Sequence, residues 1–243
     1  MSGATGSSLV VVVGANGGSG ASLVAGALSL AWARAGIGSW LVEMDLERAD
    51  LGDAWGLPAE RTLEDLAAVA GEIDAAHLRH AAHVRPGGPH VLLAPARPGA
   101  ADAWGPEAIR GLLTAARVAA GAGGRVVVDG GLGLSPSSRV AAADADGVLV
   151  QCGPTVAAAR RARRVIEALT VSGAGSRCGL VVAGGPGDRE ISARSLARVA
   201  GAPVLGEIPW IPREGAALVS GRWPGGGRQR LARAIEALAG SLP

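Results

Sequence analysis

The apolar residues of this chain cluster in short continuous runs, and an alanine-rich stretch follows most of them. Seven runs of four to six residues predict β-strands at residues 9–13, 39–44, 90–94, 125–129, 147–151, 179–183 and 204–207. Because these runs do not alternate with polar residues, we expect strands that are buried on both faces of a parallel sheet.

The stretches between the strands have helical character. They predict helices at residues 20–35, 62–70, 106–120, 136–143, 155–170, 192–200 and 228–239, with loops at 85–89, 95–105, 184–188 and 223–227. Strands that alternate with helices predict an α/β fold with a doubly wound, mostly parallel sheet and helices on both of its faces. The sequence contains no repeat and no second-domain signal, so residues 1–243 are predicted to form a single domain.

The first predicted strand runs into a glycine-rich turn, LVVVVGANGGSGAS, at the end of the sheet where doubly wound folds bind ligands. Glycines let backbone N–H groups turn toward phosphate oxygens at the N-terminus of the following helix. Ser22 stands where a P-loop has the Ser or Thr that binds magnesium. The usual pattern G-x-x-x-x-G-K-[ST] is broken, because Ala15 replaces its first glycine and Ala21 replaces its lysine.

The composition removes lysine from any mechanism, since all 23 basic residues are arginine. The formal net charge of +2 is too small to indicate nucleic acid by itself. One local basic cluster comprises Arg160, Arg161, Arg163 and Arg164. We interpret it as a solvated helix face. The alternative is nonspecific contact with the phosphate backbone of DNA, which retention on a DNA column at low salt would support.

Several segments, in their order and spacing, resemble the MinD/ParA group of deviant Walker-A ATPases. The resemblance is closest to the CpaE/TadZ branch, which is associated with Tad pilus and secretion systems. The group's loop reads K-G-G-x-G-K-[ST], and both of its lysines are replaced here, by Asn16 and Ala21. Further resemblance lies in SWLVEMDLERADLGDAWGL, RTLEDLA, VLLAPARPG, RVVVDGGLG, APVLGEIPWIPRE and RQRLARAIEAL.

The resemblance implies roles for individual residues. The nucleotide, ATP or ADP with magnesium if one binds, would lie on Asn16, Gly17, Gly18, Ser19, Gly20, Ala21 and Ser22. Asp45 matches the acid that orients the attacking water, with Glu43 as the other of the paired acids. Asp129 matches the Walker-B acid that holds magnesium through water, and Ser22 matches the residue that binds magnesium. Gly133 matches a switch glycine and Gly131 replaces the usual proline, while Ala183 and Gly184 leave no asparagine to read adenine.

Phosphoryl transfer depends on cations that stabilise charge on the transferring oxygens, so the loss of both lysines predicts a pseudo-ATPase with a vestigial Asp45. One alternative is a slow ATPase in which an arginine, such as Arg48 or Arg139, replaces the lysines. Another is a non-catalytic dinucleotide-binding module. Its turn would contain Gly14, Gly17 and Gly20, and Glu43 or Asp45 would bind a ribose hydroxyl. A short-chain reductase is excluded, since that chemistry uses a Tyr–Lys pair and the chain has neither residue.

By resemblance, the protein would be a localisation or assembly scaffold for a secretion, pilus or cell-division apparatus, and a homodimer across the loop face. We expect it in the cytoplasm, recruited to a pole, a septum or a membrane-bound machinery. The start MSGATGSS shows no signal peptide, and no apolar stretch reaches the ~20 residues of a membrane span. The closing helix is predicted to pack onto the domain through Leu231, Ile235 and Leu238 and not to lie on a membrane.

The remaining candidates are predicted to be structural. Cys152 and Cys178 have no metal-binding spacing, and we expect buried, reduced thiols. The histidines at 77, 80 and 83 would not converge on one helix face, which argues against a metal site. We expect Trp32, Trp40 and Trp55 in the core or a dimer face, and Trp210 and Trp223 in loops where a partner could reach them.

Overall fold

A computed structural model describes residues 6–46, 48–95, 97, 104–184, 187–225 and 229–243. Within these ranges one sheet has the strand order β3-β4-β2-β5-β1-β6-β7-β8, and all neighbours are parallel except β3 and β4. The strands are β1 (Ser8–Gly14), β2 (Ser39–Glu43), β3 (His83–Val84), β4 (His90–Leu92), β5 (Arg125–Leu132), β6 (Gly147–Cys152), β7 (Cys178–Gly184) and β8 (Val204–Pro209).

Helices cover both faces of this sheet, as predicted. In chain order they are α1 (Ala21–Arg34), α2 (Leu51–Trp55), α3 (Ala75–Ala81), α4 (Pro106–Ala120), α5 (Pro136–Asp144), α6 (Val156–Val171), α7 (Ala193–Ala200), α8 (Pro212–Val219) and α9 (Arg230–Ser241). The doubly wound, mostly parallel α/β fold is therefore confirmed. None of the described helices is long and apolar enough to cross a membrane.

Two apolar layers form because successive side chains of a buried strand point to opposite faces. Leu9, Val11 and Val13 of β1 enter the layer beneath α3 to α7, whereas Val10 and Val12 enter the layer beneath α1, α2, α8 and α9. Each strand residue therefore has apolar neighbours on its own face, which accounts for the continuous apolar runs in the sequence.

The elements that the sequence pattern missed are short. Strand β3 has two residues, α2 has five and α3 has seven, too few turns to establish a periodicity, while α8 has eight. The helix predicted at 62–70 is present as a 3-10 helix, Leu63–Val69. Its buried residues, Leu63 and Leu66, are three apart, which suits three residues per turn. Arg228 of the closing helix and parts of three predicted loops, at 96 and 98–103, 185–186 and 226–227, lie outside the described residues.

Pro243 lies beside the start of the central strand. The Ser8 hydroxyl donates a hydrogen bond of 2.7 Å to the carbonyl of Pro243. Helix α9 precedes this contact and packs onto the sheet through Leu231, Ile235 and Leu238, as the sequence predicted. From Ser8, strand β1 runs through the centre of the sheet to the glycine turn.

Candidate nucleotide-binding site

The glycine turn joins β1 to α1 and exposes a row of backbone N–H groups. Gly18 and Gly20 have φ angles of +69° and +92°, which residues with a β-carbon rarely adopt. Among the described residues, none accepts a hydrogen bond from the N–H groups of Gly17, Gly18, Gly20, Ala21 and Ser22. Because these groups lie at the positive end of the α1 dipole, the turn has the chemistry of an anion site.

Buried Gln151 at the end of β6 holds this turn in place. The backbone carbonyl of Gln151 accepts a 2.8 Å hydrogen bond from Ala15, and its side-chain Nε2 donates one of 3.1 Å to the carbonyl of Ser19. The Oε1 atom has no partner in the described part of the chain. Sequence reasoning overlooked Gln151, although a polar residue at the end of an apolar strand was a usable signal.

A cavity of about 780 Å³ opens above the turn. Acidic side chains dominate its charge, and Arg48 is the one cationic residue in its described lining. The carboxylates are those of Glu43, Asp45, Asp50, Asp129 and Asp188. The apolar residues of the lining include Trp210, Leu218 and Val219. The turn therefore offers hydrogen-bond donors within a field that is mainly negative.

Ser22 and Asp129 are in contact at the base of this cavity. The Ser22 side chain lies near the Asp129 carboxylate and favours its ionised form, and the N–H of Gly131 donates to this carboxylate at 3.1 Å. Burial raises the pKa of Asp129 from 3.8 to about 6, and these two polar neighbours oppose the rise. One hydroxyl and one carboxylate suit Mg²⁺, which takes its remaining ligands from phosphates and water. The described residues contain no cluster of three or more His, Cys, Asp or Glu for a metal held by protein alone.

Asp45, the predicted catalytic acid, lines the same cavity but already has a partner. Its carboxylate lies 3.3 Å from Nε of Arg48 and packs against the α-carbon of Gly131. The Asp45 side chain is 13% exposed and that of Arg48 is 54% exposed. The pair leaves Asp45 within reach of the cavity and gives Arg48 freedom to reorient.

Glu43 holds the backbone together at the end of β2. Its Oε1 atom accepts N–H bonds from Asp50 and Leu51 at 3.0 and 2.9 Å, and Oε2 accepts one from Ala94 at 2.9 Å. Burial raises the pKa of Glu43 to about 7, although the three bonds lower it. Because both oxygens are occupied by backbone donors, Asp45 is the better candidate for a ribose contact.

The positions of the two missing lysines are filled without a charge. Asn16 donates from Nδ2 to the carbonyl of Gly17 at 3.0 Å and thus bonds within its own turn. Ala21 is buried at the start of α1. Arg139, the other proposed replacement, donates to the carbonyl of Leu134 and does not line the cavity.

The other sequence candidates lie away from this cavity or are structural. Trp32, Trp40 and Trp55 are buried, as are the free thiols of Cys152 and Cys178. The four arginines of α6 are exposed, and Arg163 pairs with Glu167 at 2.8 Å, so contact of this face with DNA stays a prediction.

No protein-family model matches the chain, and a search of curated proteins finds no match. Solved structures do match. A ParA family ATPase from Chlorobium tepidum superposes with a TM-score of 0.84 at 18% identity, over 97% of this chain and 99% of that one. MinD of Pyrococcus horikoshii with Mg-ADP gives 0.75 at 21% identity, over 96% and 94%. MinD in the MinC:MinD complex of Aquifex aeolicus gives 0.73 at 18% identity, over 96% and 94%. The chain therefore has the fold of the ParA and MinD ATPases.

Proposed function

We propose that this chain is a nucleotide-binding pseudo-ATPase of the MinD/ParA type, within its CpaE/TadZ-like branch. It would serve as a localisation or assembly scaffold for a secretion, pilus or cell-division apparatus. The observation that carries the proposal is that this cavity has groups for binding a nucleotide but lacks cations for hydrolysing it. The turn has free N–H groups and Ser22 lies near Asp129, while Asn16 and Ala21 leave the turn without a side-chain cation.

Binding and hydrolysis make different demands on this site. Backbone N–H groups at a helix N-terminus can hold a phosphate, and Ser22 and Asp129 would hold its magnesium. Hydrolysis also needs positive charge on the transferring phosphoryl oxygens, and removing one such donor costs about 2–4 kcal/mol, or ~10²–10³ in rate. Two missing lysines therefore support binding without useful turnover. The solved complex of a MinD protein with Mg-ADP supports the choice of ligand.

Thermal denaturation with Mg-ADP and Mg-ATP tests the binding. A nucleotide at 100 times its Kd stabilises the native state by about 2.7 kcal/mol, which for a chain of this size raises Tm by roughly 5–10 °C. Ser22→Ala should reduce the shift, whereas Ser241→Ala, which alters another helical serine far from the cavity, should keep it. An unchanged Tm at millimolar nucleotide would contradict the proposal.

Phosphate release from ATP tests the loss of catalysis. We expect no turnover above the buffer control for the natural chain. The double variant Asn16→Lys, Ala21→Lys returns both cations to the turn and should gain measurable hydrolysis if their absence is the limiting defect. Turnover by the natural chain that Asp45→Ala abolishes would establish an active enzyme instead.

Arg48 supports a second candidate, the slow arginine-assisted ATPase. It is the cationic residue of the described cavity lining, and its contact with Asp45 is partly exposed, so a bound phosphate could compete for the guanidinium. In this case Arg48→Ala would lower turnover, while Arg139→Ala, whose arginine bonds to a backbone carbonyl, would leave it unchanged.

A homodimer across the loop face is part of the proposal. Three exposed apolar residues, Leu132, Trp210 and Val219, line the cavity on that face, with 37%, 45% and 44% of their surface accessible. Exposed apolar groups around a cavity are typical of protein interfaces. A shift from monomer to dimer in sedimentation on adding Mg-ATP would support this arrangement, and a monomer at all nucleotide concentrations would oppose it.

A further inference from the structure

A second pocket of about 380 Å³ lies beside the cavity of the glycine turn, and Trp210 forms part of both. Gly184 and Ile208 are also shared, so the two spaces meet along one wall. The residues that line the second pocket alone are Pro154, Val182, Arg189, Glu207, Pro209, Ile211 and Arg230. No residue of this set was predicted to bind a ligand.

Trp210 is seated on a glycine of α8. A β-carbon built on Gly215 would lie 2.9 Å from two atoms of the six-membered ring of Trp210, so only glycine allows this approach. A glycine inside a helix is unfavourable by roughly 0.5–1 kcal/mol relative to alanine. The helix thus contains an unfavourable glycine at the point where it contacts Trp210, a residue that stays 45% exposed. An exposed ring held in this way can stack on a planar group such as a nucleotide base.

The charges on the two sides of Trp210 have opposite signs. The glycine-turn cavity holds five carboxylates and one guanidinium in its described lining. In the second pocket Arg189 is paired with Glu207, and Arg230 forms no ion pair within the described ranges. The carboxylate of Glu214 binds the backbone N–H of Arg230 at 3.1 Å, which fixes where its side chain begins.

We propose that this second pocket binds a phosphate on the remote side of a nucleotide whose 5′-phosphate occupies the glycine turn. The nucleotide's base stacks on Trp210, and the remote phosphate contacts Arg230 and Arg189. The chemical class is therefore a nucleotide with two separate phosphate groups, such as a 3′,5′-bisphosphate or a linear dinucleotide. This inference rests on the proposed nucleotide binding at the turn.

The opposite charges favour this ligand over a simple mononucleotide. At the turn, the neighbouring carboxylates weaken the attraction for phosphate, and magnesium must offset them. In the described lining of the second pocket Arg189 and Arg230 outnumber the one carboxylate, Glu207, and arginine bonds phosphate through two parallel N–H donors. A second phosphate on the ligand would therefore increase affinity even though the loop has no lysine.

Isothermal titration with AMP and with adenosine 3′,5′-bisphosphate, both with Mg²⁺, tests the inference because the ligands differ by one phosphate. Hydrogen bonds to charged groups predict about ten- to hundredfold tighter binding of the bisphosphate. Arg230→Gln should remove that advantage and leave AMP unchanged. The control is Arg233→Gln, an exposed arginine of the same helix that lines neither pocket. Trp210→Leu should weaken both ligands, and Trp210→Phe should restore most of the loss.

The outcomes separate the two proposals. Equal affinities for AMP and the bisphosphate would overturn the second phosphate site and leave nucleotide binding at the turn intact. Tight binding of the bisphosphate with no binding of AMP, lost in Arg230→Gln, would support the second pocket and oppose the turn as the main site. Failure of both ligands to bind, in a protein whose Tm still rises with Mg-ADP, would overturn the second phosphate site alone, and an unchanged Tm with Mg-ADP as well would overturn both proposals. An Arg233→Gln variant that behaves like Arg230→Gln would also overturn the assignment of the remote phosphate to this pocket.

Discussion

The carboxylate of Asp45 occupies the space in which a side chain at position 131 would stand, against the α-carbon of Gly131. This contact joins the chain after β2 to the end of β5, and the same β5 carries Asp129 two residues earlier. A proline, the residue that the MinD/ParA resemblance leads one to expect at 131, would collide with Asp45 in this position. The glycine and the acid are therefore a matched pair, and the position of the predicted catalytic acid depends on the absence of a side chain opposite.

Gly131→Ala should destabilise the protein more than Gly133→Ala. Both glycines have positive φ angles, +65° and +67°, so alanine is strained at either position by about 1–2 kcal/mol. Only at 131 does the new β-carbon also meet Asp45, while at 133 it has no neighbour within 4 Å. Urea denaturation of the two variants isolates the collision. Equal midpoints would show that Asp45 moves aside without cost.

Asp129→Asn should stabilise the native state at pH 7.5 and have little effect near pH 4. The pKa of Asp129 is about 6 in the native state and 3.8 in the unfolded chain. The unfolded chain therefore loses this proton first as pH rises. The free energy of unfolding therefore falls between about pH 4 and pH 6. The full loss, roughly 3 kcal/mol, is present above that range. Glu43, with a native pKa of about 7, contributes with the same sign between about pH 4.5 and 7.

The measurement for Asp129 is Tm against pH for the natural chain, Asp129→Asn and a control, Asp53→Asn, which changes an exposed acid of α2. The control should follow the natural chain. An Asp129→Asn curve parallel to that of the natural chain would show that Asp129 ionises in the native state without cost.

Glu214→Ala should loosen α9 at its N-terminus. The two oxygens of Glu214 accept N–H bonds from Arg230, Leu231 and Ala232 at 2.9–3.1 Å, and these are donors that the helix cannot satisfy itself. Loss of charged acceptors of this kind costs about 1–3 kcal/mol. Chemical denaturation should show that loss for Glu214→Ala and almost none for Glu236→Ala, an exposed glutamate later in the same helix. Similar losses in both would mean that the cap is unimportant.

Gln151→Leu should make the glycine turn less ordered while it leaves the free energy of unfolding nearly unchanged. Leucine removes the bond from Nε2 to the carbonyl of Ser19, but it also removes a buried Oε1 atom that has no partner in the described chain. We expect the free energy of unfolding to change by less than about 1 kcal/mol, because these effects oppose each other. Amide exchange in the glycine turn should nevertheless become faster and nucleotide affinity should fall. Unchanged exchange would show that the turn keeps its shape without Gln151.

Much of the fold follows from patterns that repeat over many residues. Strand β1 is a run of valines, α1 follows the glycine turn at once, and both were predicted within two residues of their bounds. Strand β3 and helices α2 and α8 could not be predicted in the same way. They are short, and distant partners hold them: the N–H groups that start α2 bind Glu43, and Ile211, just before α8, packs into the layer beneath α1.

The candidate site likewise has parts that local sequence motifs predict and parts that depend on long-range contacts. The glycine turn, Ser22 and Asp129 occur in local motifs, and the folded chain brings them together. The role of Gln151 depends on a hydrogen bond across 132 positions of the sequence, and the pocket behind Trp210 depends on residues from four separate segments. No local pattern encodes such contacts, since the first needs β6 beside β1 and the second needs β6, β7 and β8 side by side.

The bond between Ser8 and Pro243 has a practical consequence for binding measured on a sensor surface. Strand β1 has seven residues and therefore spans about 20 Å, with Pro243 beside one of its ends and the glycine turn at the other. A surface linker attached through Pro243 would anchor the molecule on the side away from both pockets. The immobilised protein would present its ligand-facing edge to the solution, and affinities measured on a sensor surface should agree with those measured in free solution.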